Sequence, residues 1–250
     1  MLTQKKIILF LAFTTISLHA ILMVPTLETE RCTLRPLSVN DMPDIFSLAS
    51  DPDIARYTSF FGQTLHQTHE ETYAFIQRCL RMHFGEYGMN WVITEKYSGI
   101  IIGAVTLFGY SAANRKAEIG YCLSPAYWNM GIMTEVNKMI IIYVFTELNL
   151  VRLQATVDPK NIGCEQVLKK CGMQYEGLLR NYYIVRDACC NRAMYALTRE
   201  EFFTQYQKTG PPFLVSQSNI KSSNYPMVSD IAHFVAVYLH RVYARIHPSP

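Results

Sequence analysis

The sequence contains no Cys-x-x-Cys pair, no internal repeat, no low-complexity block and little net charge. Its seven cysteines are an odd number and lie scattered, so neither a disulfide framework nor a structural zinc site follows from them. Free thiols in that number fit a reducing compartment, and a cytoplasmic location is expected. The seven histidines show no ligand spacing, so no metal is expected. The formal net charge is +3, and Lys and Arg are dispersed rather than massed. No nucleic-acid partner is therefore expected. What is present is apolar. Half of the 250 residues are hydrophobic, enough for one domain with a sizeable core.

One long apolar run stands apart. Lys5 and Lys6 precede IILFLAFTTISLHAILMV, residues 7–24. Residues 1–24 read in three ways: a signal peptide or short membrane anchor, an extension preceding a start at Met23, or an ordinary helix. If the segment is genuine as a signal or anchor, the protein is membrane-associated or exported. The main domain is expected over 25–204. A Ser-, Asn-, Gln- and Pro-rich linker follows at 205–228. An amphipathic helix and tail then occupy 229–250, with Ile231, Phe234, Val235, Tyr238, Val242 and Ile246 on one stripe. That stripe suits the chain's own domain, a partner or a membrane surface. The oligomeric state is not legible.

Within the domain, period-two patterns predict strands over RCTLRPL (31–37), 89–94, 100–108, the run into Glu118, RLQATV (152–157), 173–185 and 190–197. Helices are expected from about 40 to 49, from 68 to 84, from about 132 to 148 and from 161 to 170. Strands interleaved with separated helices argue an α/β (α+β) layer structure.

The chain is organised around EIGYCLSPAYWNMGIMT, residues 118–134. Ile119, Tyr121 and Leu123 alternate as in a strand, and Pro125 ends it. Val136, Met139, Ile140, Tyr143, Val144 and Leu148 then recur at helical spacing. A strand, a Gly-containing loop and a helix N-terminus make an anion cradle, because the first-turn amides lack intrahelical acceptors. Gly131 permits close approach of backbone to a phosphate.

Three blocks in order resemble the GNAT superfamily of N-acetyltransferases. They are TLETERCTLRPLSVNDMPDIFSLASDPDIARYT, EIGYCLSPAYWNMGIMTEVNKMIIIYVF and VRLQATVDPKNIGCEQVLKKCGMQYEGLLRNYY. The nearer resemblance is to the ribosomal-protein alanine N-acetyltransferases of the RimJ/RimL type. It implies a splayed, mixed but mostly antiparallel sheet flanked by helices, with acetyl-CoA as co-substrate wedged at the split. It also implies residue roles. Tyr121, Cys122, Leu123 and Ser124 line the pantetheine arm through backbone groups. Asn129, Met130, Gly131, Ile132, Met133 and Thr134 hold the pyrophosphate. Asn161 bonds the arm, Cys164 lies near the thioester, and Glu118 faces the incoming amine. Two positions depart from the branch: Asn129 stands where glycine is usual, and Cys164 where serine is usual. Asparagine tolerates positive φ better than most residues, so the turn is expected to survive.

The implied chemistry is attack of an amine on a thioester. Glu118 is the candidate base, with a surface or ion-paired glutamate as the alternative. Cys164 and Tyr175 are the candidates for protonating the leaving sulfur, and helix N-terminal amides are expected to lower the Cys164 pKa. Trp128 reads as a loop anchor, an acceptor-pocket wall or core. Tyr57, Phe60, Phe61, Tyr73 and Phe84 read as acceptor-groove walls or ordinary core aromatics. The expected acceptor is a protein or peptide amine, foremost an N-terminal α-amine. A small amine such as a polyamine or antibiotic is the enzymatic alternative, and an acyl-CoA-binding or interaction protein without turnover is the non-catalytic one.

Overall fold

The computed structural model describes residues 24–56, 60–61, 65–81, 88–185, 187–209 and 220–221. The apolar run before residue 24 and the helix expected over 229–250 lie outside these residues, as do Tyr57 and Phe84.

Strands β1 (Thr26–Glu28) and β2 (Cys32–Pro36) open the chain. Ser38 then forms a capping box with Asp41 at a single 3-10 turn, which feeds helix α1 (Met42–Ala49). Asp51 caps the short α2 (Pro52–Ala55) by accepting from the Asp53 and Ile54 amides. Helix α3 (His69–Arg81) carries Glu70 and Glu71 in its first turn, where the helix dipole favours them. Three long strands follow as a meander: β3 (Gly88–Glu95), β4 (Ile101–Ser111) and β5 (Lys116–Leu123). Helix α4 (Ile132–Thr146) crosses back to β6 (Arg152–Val157), and α5 (Ile162–Lys170) leads to the hairpin β7 (Gln174–Val185) and β8 (Ala188–Thr198). Helix α6 (Arg199–Thr209) and a two-residue strand β9 (Ile220–Lys221) complete the described elements. Both α6 and β9 occupy part of the stretch read as linker: α6 runs to Thr209, and β9 pairs with β1. Among the described residues, no helix is long and apolar enough to cross a membrane.

The sheet order is β7-β8-β6-β5-β4-β3-β2-β1-β9. Every pairing is antiparallel except β5 with β6, which is parallel and covers only Lys116↔Arg152, Ala117↔Leu153 and Glu118↔Gln154. Beyond Glu118 the two strands part. β5 keeps its register with β4 through Gly103↔Leu123, while β6 stays with β8 through Val157↔Ala193. The sheet is therefore mixed, mostly antiparallel and splayed, flanked by helices on both faces, as expected.

Strand parity divides the core in two. Trp91, Ile93, Val105, Leu107, Ile119 and Leu123 pack against α4 through Val136, Ile140 and Val144. Val92, Ala104 and Cys122 face the other way, onto Ile45 of α1 and Phe75, Ile76 and Cys79 of α3. On β5, Ala117, Ile119, Tyr121 and Leu123 thus point to the α4 face, and Glu118, Gly120 and Cys122 to the α1/α3 face. The stripe read on α4 is too narrow. Glu135, Asn137, Ile141, Ile142 and Phe145 are buried as well, because neighbours close in on most sides of the helix. Phe145 stacks on Phe202 of α6, and Glu135 meets Arg31 beside β2.

Candidate active site

The site begins with backbone. The Ser124 amide donates to the Ile102 carbonyl at 2.8 Å, so the even positions of β5 bond to β4. By antiparallel alternation the amides and carbonyls of Tyr121 and Leu123 face away from β4, into the gap that opens after Glu118. The Trp128 indole donates to the Leu123 carbonyl at 2.8 Å. Of the readings for Trp128, the loop anchor is the one observed.

Between β5 and α4 the chain turns on two left-handed residues, Asn129 at φ 61° and Gly131 at φ 76°. Asparagine does hold the positive φ expected of it. Gly131 is the N-cap of α4 and supplies no side-chain cap, so the amides of Ile132, Met133 and Thr134 are left without helical acceptors. The Ile132 and Met133 side chains are buried in the core, which fixes the loop while its amides stay outward. A Cβ added at Gly131 would approach only Arg31 Nη2, at 3.7 Å, so the space before these amides is open.

Arg31 was not singled out from the sequence. Its Nε donates to Glu135 Oε2 at 2.7 Å, its backbone amide to Oε1 at 2.9 Å, and Nη1 to the Met130 carbonyl at 2.8 Å. Burial opposes ionisation of Glu135, but hydrogen bonds from Thr29 and from Arg31, with the Arg31 charge, outweigh it and hold the pKa below the ordinary carboxylate value. The result is a guanidinium clamped at the rim of the amide cradle.

On the far side of the gap, Asn161 is the N-cap of α5 and accepts the Cys164 amide through Oδ1 at 3.0 Å. Its Nδ2 is the end that remains to donate. The Tyr121 hydroxyl lies 3.1 Å from Cys164 Sγ. Burial pushes the Cys164 thiol up to about 11, against the pull of the Tyr121 hydrogen bond and the Arg192 charge. The expected lowering by helix amides is thus corrected: desolvation dominates, and the thiol stays protonated. Burial, with Cys164 adding to it, also raises Tyr121 well above the ordinary phenol value. Tyr175 is 56% exposed on β7, its ring 5.5 Å from that of Tyr195, a side chain that itself lies near Cys164. Among the described residues the tyrosine in hydrogen-bond contact with the Cys164 thiol is Tyr121.

Glu118 sits at the last paired position before the strands part, 7% exposed. Thr156 Oγ1 donates to its Oε1 at 2.7 Å, and Gln154 Nε2 to its Oε2 at 3.1 Å. Both partners are neutral and both come from β6. Among the described residues no Lys or Arg pairs with Glu118. Tyr182 and Tyr183 of β7 lie close enough that, after burial, the Glu118 charge is the next cause raising their pKa values. Along the same face the Phe108 ring covers Gly120, where an added Cβ would meet it at 3.1 Å. Further on is a pocket lined by Leu37, Phe60, Phe61, Phe75, Asn90 and Thr106, among others. Thr106 donates to Asn90 Oδ1 at 2.7 Å on its polar side. Phe61 is buried in the α1/α3 core and Phe60 packs against it, the ordinary core-aromatic reading, whereas Tyr73 is half exposed. Among the described residues no cluster of three or more His, Cys, Asp and Glu side chains is able to hold a metal ion.

Comparison with known proteins gives this architecture a family. Residues 31–174 match the model of the acetyltransferase (GNAT) domain, and the chain belongs to that family. It is an acetyl-CoA-dependent acetyltransferase. It is 30% identical over 178 residues to the uncharacterized N-acetyltransferase p20 of Bacillus licheniformis, which covers 71% of this chain and 98% of that protein. Two solved structures share the fold. RimJ of Mycobacterium smegmatis in complex with CoA-disulfide superposes with a TM-score of 0.64 at 24% identity, over 70% of this chain and 88% of that one. RimL, a ribosomal L7/L12 α-N-protein acetyltransferase in complex with coenzyme A, gives a TM-score of 0.63 at 17% identity, over 69% and 97%. The open amide cradle, the strand edge facing the gap and the Asn161 cap fit a long anionic ligand with an amide-bearing arm.

Proposed function

We propose that the protein acetylates the N-terminal α-amine of a protein or peptide, as the name of the RimL neighbour states for that protein, and that it belongs with the RimJ/RimL type. The observation that carries this reading is Glu118: a buried carboxylate at the mouth of the gap, held by two neutral donors and lacking a cationic partner among the described residues. A buried carboxylate without a counter-charge calls for one. An incoming ammonium supplies it, and the same carboxylate then accepts its proton. An α-amine, with a pKa of about 8 against roughly 10.4 for a lysine side chain, gives up that proton readily.

Acetyl-CoA supplies the acyl group as an activated thioester. The chain's own residues do the rest. The amides of residues 129–134 and the Arg31 guanidinium hold the pyrophosphate. The gap-facing backbone of Tyr121 and Leu123, within the 121–124 edge that includes Cys122 and Ser124, holds the arm together with Asn161 Nδ2. Cys164 Sγ keeps a proton available beside the leaving sulfur, and the Tyr121 hydroxyl supports it as that proton departs. Positioning of the two reactants supplies much of the remaining rate.

The test is thiol release from acetyl-CoA against peptides with free N-termini, polyamines and aminoglycosides. Turnover confined to free-N-terminus peptides is expected; turnover only with polyamines or aminoglycosides overturns the acceptor assignment.

A further inference from the structure

Asn137 is the one polar residue deep in the apolar run VNKMIIIYVF of α4, and it is 2% exposed. Among the described residues neither its Nδ2 nor its Oδ1 reaches a partner at full hydrogen-bond geometry, the Tyr121 hydroxyl alongside being at most a loose one. Burying a carboxamide with both ends unmade opposes folding, and an apolar residue of similar volume would remove that penalty. The surroundings are specific. Asn137 lies next to the Tyr121 hydroxyl, whose ionisation it eases, but that hydroxyl takes its hydrogen bond to Cys164. Cys171, which donates to the Thr134 carbonyl at 3.6 Å, lies on the same side. Asn137, Tyr121, Cys164 and Cys171 thus form a polar island between α4, β5 and α5, on the α4 face of the gap.

We propose that Asn137 is a further binding residue for acetyl-CoA, its carboxamide pairing with an amide or the thioester carbonyl of the arm alongside the Tyr121 hydroxyl. The chemistry is complementary. A carboxamide offers one acceptor and two donors, and the pantetheine arm carries secondary amides and a thioester carbonyl that need both kinds. The proposal rests on the reading that the arm runs along the gap-facing edge of β5 toward Asn161 and Cys164.

The experiment uses the full chain and the substitutions Asn137→Leu and Asn137→Ala. Thermal melts are recorded without ligand, and acetyl-CoA affinity is measured by calorimetry. N137L is expected to melt a few degrees above the parent, because the unpaired amide is gone. N137A is expected to melt below it, because a cavity replaces the side chain. Both are expected to bind acetyl-CoA about five- to tenfold more weakly, the size of one lost neutral hydrogen bond. Parent-level affinity in both variants overturns the proposal whatever the melting temperatures do. N161A separates the underlying reading: parent-level affinity there overturns the placement of the arm itself, independently of Asn137.

Discussion

The Tyr121 hydroxyl and the Cys164 thiol meet at 3.1 Å across the interface of β5 and α5, two weak acids that burial keeps protonated. A thiol held at about 11 cannot act as a standing thiolate nucleophile at neutral pH. In the proposed mechanism it serves instead as a donor, with the phenol behind it.

That pairing predicts the behaviour of three variants. C164S preserves a donor and is expected to keep or raise turnover. C164A is expected to lower turnover by about tenfold with acetyl-CoA affinity little changed, and Y121F to lie between the two. Steady-state kinetics with matched calorimetry decides it. Equal turnover in all three variants and the parent would leave the pair as packing.

Glu118 is expected to act through basicity rather than shape. E118Q keeps the volume, so turnover should fall by about 100-fold while acetyl-CoA affinity holds. Unchanged turnover would make Glu118 a structural residue of the splay.

The cradle makes opposite predictions at its two left-handed residues. Gly131 at φ 76° is unsuited to a β-branched side chain. G131V is expected to cost about 1–2 kcal/mol of stability and at least tenfold in acetyl-CoA affinity. At Asn129, φ 61°, N129G should leave both within a factor of two or three. Melting and calorimetry on the pair test this, and parental binding by G131V would remove the cradle from the site.

Alkaline pH is expected to destabilise the fold. Burial pushes the thiols of Cys32 and Cys79 up to about 11 and those of Cys122 and Cys171 up to about 12, from an ordinary 9.0. Above about pH 9 the unfolded chain releases these protons while the folded chain keeps them. The unfolded state then binds fewer protons, so stability falls as pH rises. The loss is absent below pH 9 and continues until the folded thiols ionise near 11–12, each thiol removing up to about 1.4 kcal/mol per pH unit. Melting temperature should drop by several degrees between pH 8 and 10; a flat profile refutes the assignment of these thiols as buried and protonated.

The residues legible in the sequence are those whose neighbours are local. The Glu118 strand, the Gly-containing turn before α4 and the α5 helix over 161–170 each follow from a few adjacent side chains. Arg31 carried no such signal, since its partner Glu135 is 104 residues away. Thr156 and Gln154 read only as strand residues of RLQATV. Their grip on Glu118 exists because the β5–β6 register ends where it does. Asn137 fell outside the apolar stripe by helical periodicity, and only the closure of neighbours around α4 buries it. For Cys164 the helix terminus was readable, but the burial that outweighs it is a tertiary quantity.

Joining the sheet by three residue pairs between β5 and β6 has a mechanical consequence. On one side stand β1 to β5 with β9, on the other β6 to β8, and among the strands β2 to β8 this short seam is the narrowest hydrogen-bonded join. The gap-facing amides of Tyr121 and Leu123 bridge no strand, and in the free protein they should exchange with solvent deuterium far faster than the β4-facing amides of Cys122 and Ser124. An occupant bonded to that edge behaves as a fourth, fifth and sixth rung. Its release would return the two half-sheets to their separate vibrations, making product departure as much a loosening of the scaffold as the emptying of a groove.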